Sequence, residues 1–271
     1  MMIIMNMVKV LFTTFLIVGL LFSSGVFSVL LYAKMTGKDF FTEAQPIAAV
    51  LAEGAAPAPP VSEAKPDPVK PKPASAMLDA PLVRQLPELP AGCEIVSLTM
   101  LLNYYGVDKD KMELYREMIK DPTPIRWEKG AIAFWGNPNT GYVGDATGKS
   151  RGFGIYHGAL LPTLKEYVPT AIDMTGMEFD AIERQIAEGL PVVLWTTINF
   201  QETQRWVEWD TPIGPIKTTF MEHAVLLVGY DEENVYVNDP YSGKKSLKLN
   251  KEQFLGTWNA LGKQALSYTN E

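Results

Sequence analysis

Residues 10–33 form an apolar run without a single charged side chain, and this run limits which part of the chain can enter a globular core. As a helix it is long enough to cross a hydrocarbon layer of about 30 Å. The run has no polar face, which argues against a helix buried on one side of a soluble domain. Because no small-x-small cleavage sequence follows, we interpret residues 1–36 as a signal anchor with one transmembrane helix. A cleaved signal peptide, and hence a secreted protein, is the alternative.

Residues 37–77 continue with a short amphipathic piece and a segment rich in Pro, Ala and Lys. The prolines exclude a regular helix and favour an extended spacer of about 3.1 Å per residue. Such a spacer between an anchor and a domain is typical of proteins that face the cell wall. We therefore predict an anchor in residues 1–36, a linker in residues 37–77 and a folded, extracytoplasmic domain in residues 78–271.

The composition narrows the classes of partner and cofactor. The formal net charge is -7 and no basic tract is longer than a Lys-Lys pair, which argues against a nucleic-acid partner. The chain has one cysteine and two histidines, so it forms no internal disulfide. No Cys/His cluster has zinc-site spacing, and we predict neither a metal nor another cofactor.

The periodicity of residues 78–271 predicts an α+β fold, with N-terminal helices and a C-terminal antiparallel sheet. We expect helices in residues 93–105, 108–119, 155–167 and 178–188, the third broken or started by Pro162, and a last helix capped by Asn250. We expect strands in residues 191–197, 223–230, 234–239 and 245–249. A long loop in residues 122–151 and a hairpin in residues 202–220, which carry several tryptophans, are predicted to line or cover a cleft or to form a binding surface.

Cys93 lies where a loop rich in Pro and Gly gives way to an apolar helical pattern that ends before Gly106. A thiol at a helix N-terminus is favoured as thiolate by the free N–H groups and the helix dipole. Glu94 opposes that effect, so activation of Cys93 requires a basic partner.

His223 and Asp239 are predicted on neighbouring strands of one hairpin. If the turn is centred near Asp231, the two side chains lie opposite each other on one face, about 5 Å apart. The carboxylate then fixes the imidazole tautomer and stabilises its cation. A shift of the turn would favour Asn238 in this role instead.

The order Cys93, His223, Asp239 matches a papain-like pattern, in which the histidine follows the cysteine by about 130–150 residues. The thiolate attacks a carbonyl, the imidazolium protonates the leaving group and the third residue orients the imidazole. Gln85 and the Cys93 backbone N–H are the candidate oxyanion donors. His157 is the rival base, and an inert buried cysteine beside a structural histidine is the alternative to catalysis.

Several segments together resemble the C39-like bacterial cysteine peptidases; they are residues 85–97, 102–106, 137–145, 189–193, 223–231 and 235–240. The resemblance spans residues 82–265 and implies a papain-like cysteine peptidase fold. It also implies Cys93 as nucleophile, His223 as base, Asp239 as orienting residue and Gln85 as oxyanion residue. The chain has no ATP-binding motif, so the leader-peptide substrate of transporter-fused members is not implied.

We therefore expect a membrane-anchored, extracytoplasmic thiol hydrolase that cleaves a peptide or amide bond through an acyl-enzyme, with a peptide or protein substrate at the cell surface. An amidase or transpeptidase acting on cell-wall peptides is one alternative. A surface-tethered binding module that keeps the fold without catalysis is the other. The oligomeric state does not follow from the sequence.

Overall fold

The computed structural model describes residues 71–270, and the fold is given for this part of the chain. The predicted transmembrane helix, the amphipathic piece and most of the linker lie outside the described residues. Within residues 71–270, no helix has both the length and the apolar character that a membrane span requires.

Five α-helices occur in the described residues: α1 (Cys93–Tyr105), α2 (Lys111–Glu117), α3 (His157–Tyr167), α4 (Phe179–Ala187) and α5 (Lys251–Ala260). The predicted helix ends are confirmed at two positions. Gly106 adopts a left-handed conformation with φ of 105° after α1, and its N–H bonds the carbonyls of Leu102 and Asn103. The Asn250 side chain accepts the Gln253 N–H at 3.0 Å, which caps α5. The prediction for Pro162 was wrong, because α3 runs through it without a break.

The strands of the described part are β1 (Ala76–Met77), β2 (Lys120–Asp121), β3 (Arg126–Glu128), β4 (Ala131–Phe134), β5 (Tyr142–Gly144), β6 (Gly152–Gly154), β7 (Ala171–Asp173), β8 (Val192–Thr197), β9 (Trp206–Thr211), β10 (Gly214–Thr219), β11 (Glu222–Tyr230), β12 (Asn234–Asp239), β13 (Lys244–Asn250) and β14 (Ala265–Tyr268). The main sheet has the order β13-β12-β11-β8-β14-β7, with β1 also paired to β11, and all its pairs are antiparallel. A four-stranded sheet has the order β10-β9-β4-β3, and a three-stranded sheet the order β2-β5-β6. The fold is therefore α+β.

The central strands β8 and β11 are buried along their whole length, because the main sheet is covered on both faces. Ala224, Leu226 and Val228 of β11 pack in one cluster with the apolar residues of α1. Their neighbours Val225 and Leu227 pack in a second cluster with side chains of α4 and α5. Alternate residues of β11 thus face opposite layers, as the two-residue repeat of a strand requires.

Two predictions about the connecting regions had different outcomes. The hairpin in residues 202–220 is confirmed, since β9 and β10 pair antiparallel from Trp206 and Thr219 to Thr211 and Gly214. The region 122–151 was predicted as a loop but contains β3, β4 and β5, and β4 pairs with β9. Trp209 of the hairpin is buried against Trp135 and Phe153, so it belongs to a small core and not to the surface.

Candidate active site

Cys93 is the first residue of α1 and is almost fully buried. Gly92 precedes it, and a Cβ at Gly92 would lie 2.7 Å from the Leu89 Cβ, so this loop needs glycine. The Cys93 thiol donates a hydrogen bond to the Glu94 Oε2 at 3.3 Å. The backbone N–H of Ala224 on β11 also contacts the sulfur.

His223 and Asp239 are joined by a hydrogen bond of 2.8 Å between His223 Nε2 and Asp239 Oδ1, and both side chains are buried. Asp239 also accepts hydrogen bonds from the Tyr241 N–H and from the Ser242 N–H and hydroxyl. Burial by itself would raise the pKa of Asp239. The hydrogen bond and the charge of His223, together with the other donors, outweigh burial and lower this pKa to about 2. Asp239 is thus an ionised acceptor, and the His223 Nε2 carries the proton.

The predicted register of this hairpin was wrong, although the predicted contact is present. Tyr230 pairs with Val235 and Leu226 with Asn238, so the turn lies later in the chain than expected. In this register His223 does not lie directly opposite Asp239. The Asp239 carboxylate lies at the end of β12 and reaches the His223 imidazole from there. Asn238 does not compete, because its amide donates to the carbonyls of Ala80 and Pro81.

Within the described residues, no hydrogen bond joins Cys93 to His223. The His223 ring lies 6.2 Å from the Phe200 ring and 6.3 Å from the Tyr241 ring, centroid to centroid. Its neighbour Glu222 reaches Cys93 instead, on the other face of β11. The sulfur nevertheless lies beside the peptide unit that links His223 to Ala224, because the Ala224 N–H contacts it.

Two buried carboxyl groups surround the thiol, and sequence reasoning missed one of them. One ligand atom each of Cys93, Glu94 and Glu222 lie within 4.8 Å of one another. Burial raises the pKa of Glu94 to about 7. Burial and the neighbouring Glu94 raise the pKa of Glu222 well above its usual range. Glu222 directly precedes His223 in the sequence, and the two-residue strand repeat is the signal that could have placed it toward α1.

The protonated thiol is the favoured form of Cys93 in this arrangement. Burial is the largest cause that raises the pKa of the thiol well above its usual range, and Glu94 and Glu222 raise it further. The contact with the Ala224 N–H opposes them. The expectation that the helix N-terminus favours the thiolate is therefore outweighed in this conformation.

Gln85 lies in the loop before α1 and is almost fully buried. Its Nε2 donates to the Pro90 carbonyl at 3.0 Å, while its Oε1 has no hydrogen-bond partner. The Nε2 group carries a second hydrogen, so Gln85 keeps one donor beyond the bond to Pro90.

His157, the rival base, has different neighbours. Its Nδ1 lies 3.0 Å from the Gln264 Oε1, and its Nε2 lies 3.5 Å from the Asp173 Oδ2. Asp173 of β7 is thus an acidic neighbour of His157. None of these contacts connects His157 to Cys93.

An aromatic surface adjoins the Cys93 region through β6. Phe153 of β6 contacts Phe220 with ring centroids 5.6 Å apart, and the Arg151 guanidinium lies 4.2 Å from the Phe220 ring centroid. Trp127 is half exposed beside Arg151. The region 122–151 and the end of the β9–β10 hairpin therefore meet next to β6, the strand that adjoins Glu94.

Comparisons with known proteins identify one family. A family model described as "Peptidase_C39 like family" matches residues 77–266. The uncharacterized protein YvpB of Bacillus subtilis (strain 168) is 38% identical over 192 residues, which are 70% of this chain and 74% of YvpB. A crystal structure of a C39-like family member from Bacillus anthracis has a TM-score of 0.66 and 37% identity, and the match covers 73% of this chain and 98% of that chain. The chain thus belongs to the C39-like peptidase family.

Proposed function

We propose that this protein is a cysteine peptidase of papain-like fold that hydrolyses a peptide or amide bond through an acyl-enzyme. Cys93 is the nucleophile, His223 the base and general acid, and Asp239 the residue that orients the imidazole. The observation that carries the proposal is the buried hydrogen bond from His223 Nε2 to Asp239. This bond leaves the Nδ1 of His223 for the thiol, and family membership supports the same reaction class.

The proposed reaction requires a rotation about the Cα–Cβ bond of Cys93 that moves the sulfur from Glu94 toward His223. The sulfur lies beside the peptide unit between His223 and Ala224 but donates to Glu94. For catalysis, the S–H would have to turn away from Glu94 and approach the His223 Nδ1, to which it would transfer its proton. The resulting thiolate and imidazolium stabilise each other, which offsets the raised pKa of the buried thiol.

The reaction then proceeds in two stages. The thiolate attacks the carbonyl carbon, and the oxyanion accepts hydrogen bonds from the Cys93 N–H and from the second hydrogen of the Gln85 Nε2. The Cys93 N–H is available because the first N–H groups of a helix lack intrahelical partners. The imidazolium protonates the leaving amine, and a thioester remains on Cys93. Water, deprotonated by the imidazole, then hydrolyses the thioester.

The substrate and the location are part of the proposal. Residues 10–33 and the proline-rich linker support a membrane-anchored domain outside the cytoplasm that acts on a peptide or protein at the cell surface. We expect the protein to stay in the membrane pellet after alkaline carbonate washing. We also expect protease added to intact spheroplasts to degrade it. Recovery in the soluble fraction would favour a cleaved signal peptide.

The decisive experiment measures the rate of Cys93 alkylation by iodoacetamide against pH, in the presence of a chelator. His223→Ala is compared with His157→Ala, which removes the rival imidazole and serves as the matched control. We expect wild type and His157→Ala to react rapidly well below pH 8. We expect His223→Ala to react about 10- to 100-fold more slowly in that range, because the thiolate has lost its cation.

Other outcomes decide between the alternatives. An ordinary thiol titration that neither variant changes would contradict the dyad and favour a binding module. Loss of reactivity only in His157→Ala would reassign the base. If the dyad is present, products formed in ¹⁸O-water separate hydrolysis from transfer, since a transpeptidase or other acyltransferase incorporates no label into the acyl product.

A further inference from the structure

A cluster of possible metal ligands lies at the start of α1. The Cys93 Sγ, one carboxylate oxygen of Glu94 and one of Glu222 are all within 4.8 Å of one another, and all three residues are buried. The Glu222 Oε1 is buried without any hydrogen-bond partner. A buried carboxyl oxygen without a partner is costly, so a ligand that contacts it would stabilise this arrangement.

The spacing of these atoms suits a tetrahedral cation. Zinc binds thiolate sulfur at about 2.3 Å and carboxylate oxygen at about 2.0–2.2 Å, so neighbouring ligands of a tetrahedral site lie about 3.5 Å apart. The Cys93 Sγ and the Glu94 Oε2 are 3.3 Å apart. The 4.8 Å limit on the cluster exceeds this spacing by about 1.3 Å, so an inward movement of the Glu222 carboxylate of about that size completes the geometry.

The surroundings already fix one ligand in place. The Ile155 N–H donates to the Glu94 Oε1 at 2.9 Å, which leaves Oε2 for a cation. Such a hydrogen bond to a ligating carboxylate orients it and typically changes metal affinity about 10- to 100-fold. Gly154 leaves room for the Glu94 carboxylate, because the Cβ of any other residue at this position would lie 2.0 Å from the Glu94 Oε1.

The charge of the cluster also lacks compensation from protein cations. In residues 71–270, no ion pair joins Glu94 or Glu222 to Lys, Arg or His. Two carboxyls and a thiol in one buried cluster must therefore retain protons or bind a cation.

We propose that Cys93, Glu94 and Glu222 form a site for Zn²⁺ or a similar thiophilic divalent cation, and that the bound cation keeps the Cys93 sulfur away from His223. Binding releases the thiol proton and any carboxyl proton to solvent, and the sulfur, two carboxylates and a water complete four-fold coordination. Mg²⁺ and Ca²⁺ are not expected to bind, since they disfavour sulfur. The inhibitory consequence rests on the proposed function, whereas the site itself does not.

The test uses Co²⁺ as a spectroscopic probe of the purified full-length protein, without substrate. We expect one Co²⁺ per chain with a sulfur-to-cobalt charge-transfer band, which Zn²⁺ abolishes by displacement. Cys93→Ser should lose the band, and Glu222→Gln should weaken binding at least about tenfold. Glu208→Gln, an exposed carboxylate on β9, should bind as the wild type does.

The opposite results would overturn the site. Absence of the band at excess Co²⁺, or a band of unchanged affinity in Glu222→Gln, would show that the carboxyls hold protons instead of a cation. If circular dichroism shows that Glu222→Gln is unfolded, the Zn²⁺-induced rise in Tm is compared between wild type and Cys93→Ser. An equal rise in both proteins would then contradict the proposal.

Regulation is tested separately from catalysis. We expect stoichiometric Zn²⁺ to protect Cys93 from iodoacetamide and a chelator to restore the reaction. Cobalt binding with an alkylation rate that is independent of His223 would overturn the peptidase and leave the metal site. An alkylation rate that depends on His223, in a protein that does not bind cobalt, would overturn the metal site and leave the proposed peptidase.

Discussion

The His223 ring is hydrogen-bonded to one carboxylate, that of Asp239, and the proposed orienting role can be tested with two substitutions of Asp239 that remove different parts of this contact. Asp239→Ala removes both the acceptor and the charge, while Asp239→Asn keeps an acceptor for the Nε2 hydrogen. We expect Asp239→Ala to lower kcat/KM for amide hydrolysis about 100-fold or more, and Asp239→Asn to lower it less. The alkylation rate at neutral pH should fall in the same order. Equal rates in all three proteins would contradict an orienting role.

Asp145 illustrates a residue whose charge matters for stability and not for the proposed chemistry. Burial would raise the pKa of Asp145, but hydrogen bonds from Thr147, Ser150 and Tyr115 lower it to about 2. Because the folded-state pKa is depressed, ionised Asp145 stabilises the fold above about pH 4, and this contribution is lost as the pH falls to about 2. We expect Asp145→Asn to lower the free energy of unfolding by about 1 kcal/mol at pH 7, after allowance for solvent screening.

Urea titrations of wild type and Asp145→Asn at several pH values check this expectation. The difference between the two proteins should shrink as the pH falls from about 4 toward 2. A difference that does not depend on pH would mean that the substitution changes the shape of the loop and not its charge.

Two side-chain contacts near Cys93 show what can and cannot be predicted from the sequence. The contact between His223 and Asp239 was predicted from a directly opposed register, and it is present although the register is shifted, because the Asp239 carboxylate reaches the imidazole from the end of β12. The contact of Cys93 with Glu222 was not predicted, because it depends on how closely α1 packs against β11, and that distance is a tertiary property. The strand repeat gives only the face on which Glu222 lies.

At the scale of elements, the end of α1 depends on one glycine conformation. Gly106 has φ of 105° and nothing lies within 4 Å of a Cβ placed there, so Gly106→Ala introduces backbone strain and no clash. Gly158 in α3 is the matched control, since its Cβ would also meet nothing within 4 Å and its φ is not positive.

We expect the two substitutions to have opposite signs. Gly106→Ala should lower the free energy of unfolding by about 1 kcal/mol, because alanine disfavours the left-handed region. Gly158→Ala should leave it unchanged or raise it by about 0.5–1 kcal/mol, because alanine is the better helix former. Urea denaturation measures both, and a loss of stability in Gly158→Ala as large as in Gly106→Ala would contradict the argument.

The elements that were predictable are those with a strong local pattern. The cap at Asn250, the glycine after α1 and the hairpin of β9 and β10 each have a signal within a few residues. The strands β3, β4 and β5 have three or four residues each, which is too short for a hydrophobic period to show. β3 pairs with β4 nearby in the chain, but β4 also pairs with the distant β9, through Phe134 and Asp210. Their existence therefore depends on tertiary contacts.

At the scale of the whole described domain, the Cys93 region is a meeting point of three layers. α1 contributes Cys93 and Glu94, and the main sheet contributes Glu222. The three-stranded sheet contributes Gly154 at the end of β6, and the next residue contributes the Ile155 N–H. The same packing that buries the thiol brings the two carboxyls beside it. Stability and chemistry are therefore coupled here, and one small residue at the junction should affect both.

Gly154 is that residue, and Gly154→Ala tests the coupling. Its φ is 153°, and a Cβ would lie 2.0 Å from the Glu94 Oε1 and 3.2 Å from the Glu222 Oε2. Alanine must therefore displace Glu94 and break its bond to the Ile155 N–H. Gly176→Ala is the matched control, since Gly176 also has positive φ but nothing lies within 4 Å of its Cβ.

We expect Gly154→Ala to lower the free energy of unfolding by about 2 kcal/mol more than Gly176→Ala does, because overpacking adds to backbone strain. The cobalt band should be lost in Gly154→Ala and retained in Gly176→Ala, since only the former moves a ligand. Urea denaturation and the cobalt titration are measured on the same samples. If Gly154→Ala is destabilised but binds cobalt as the wild type does, Glu94 can move without loss of the site, and the three layers are coupled through packing alone.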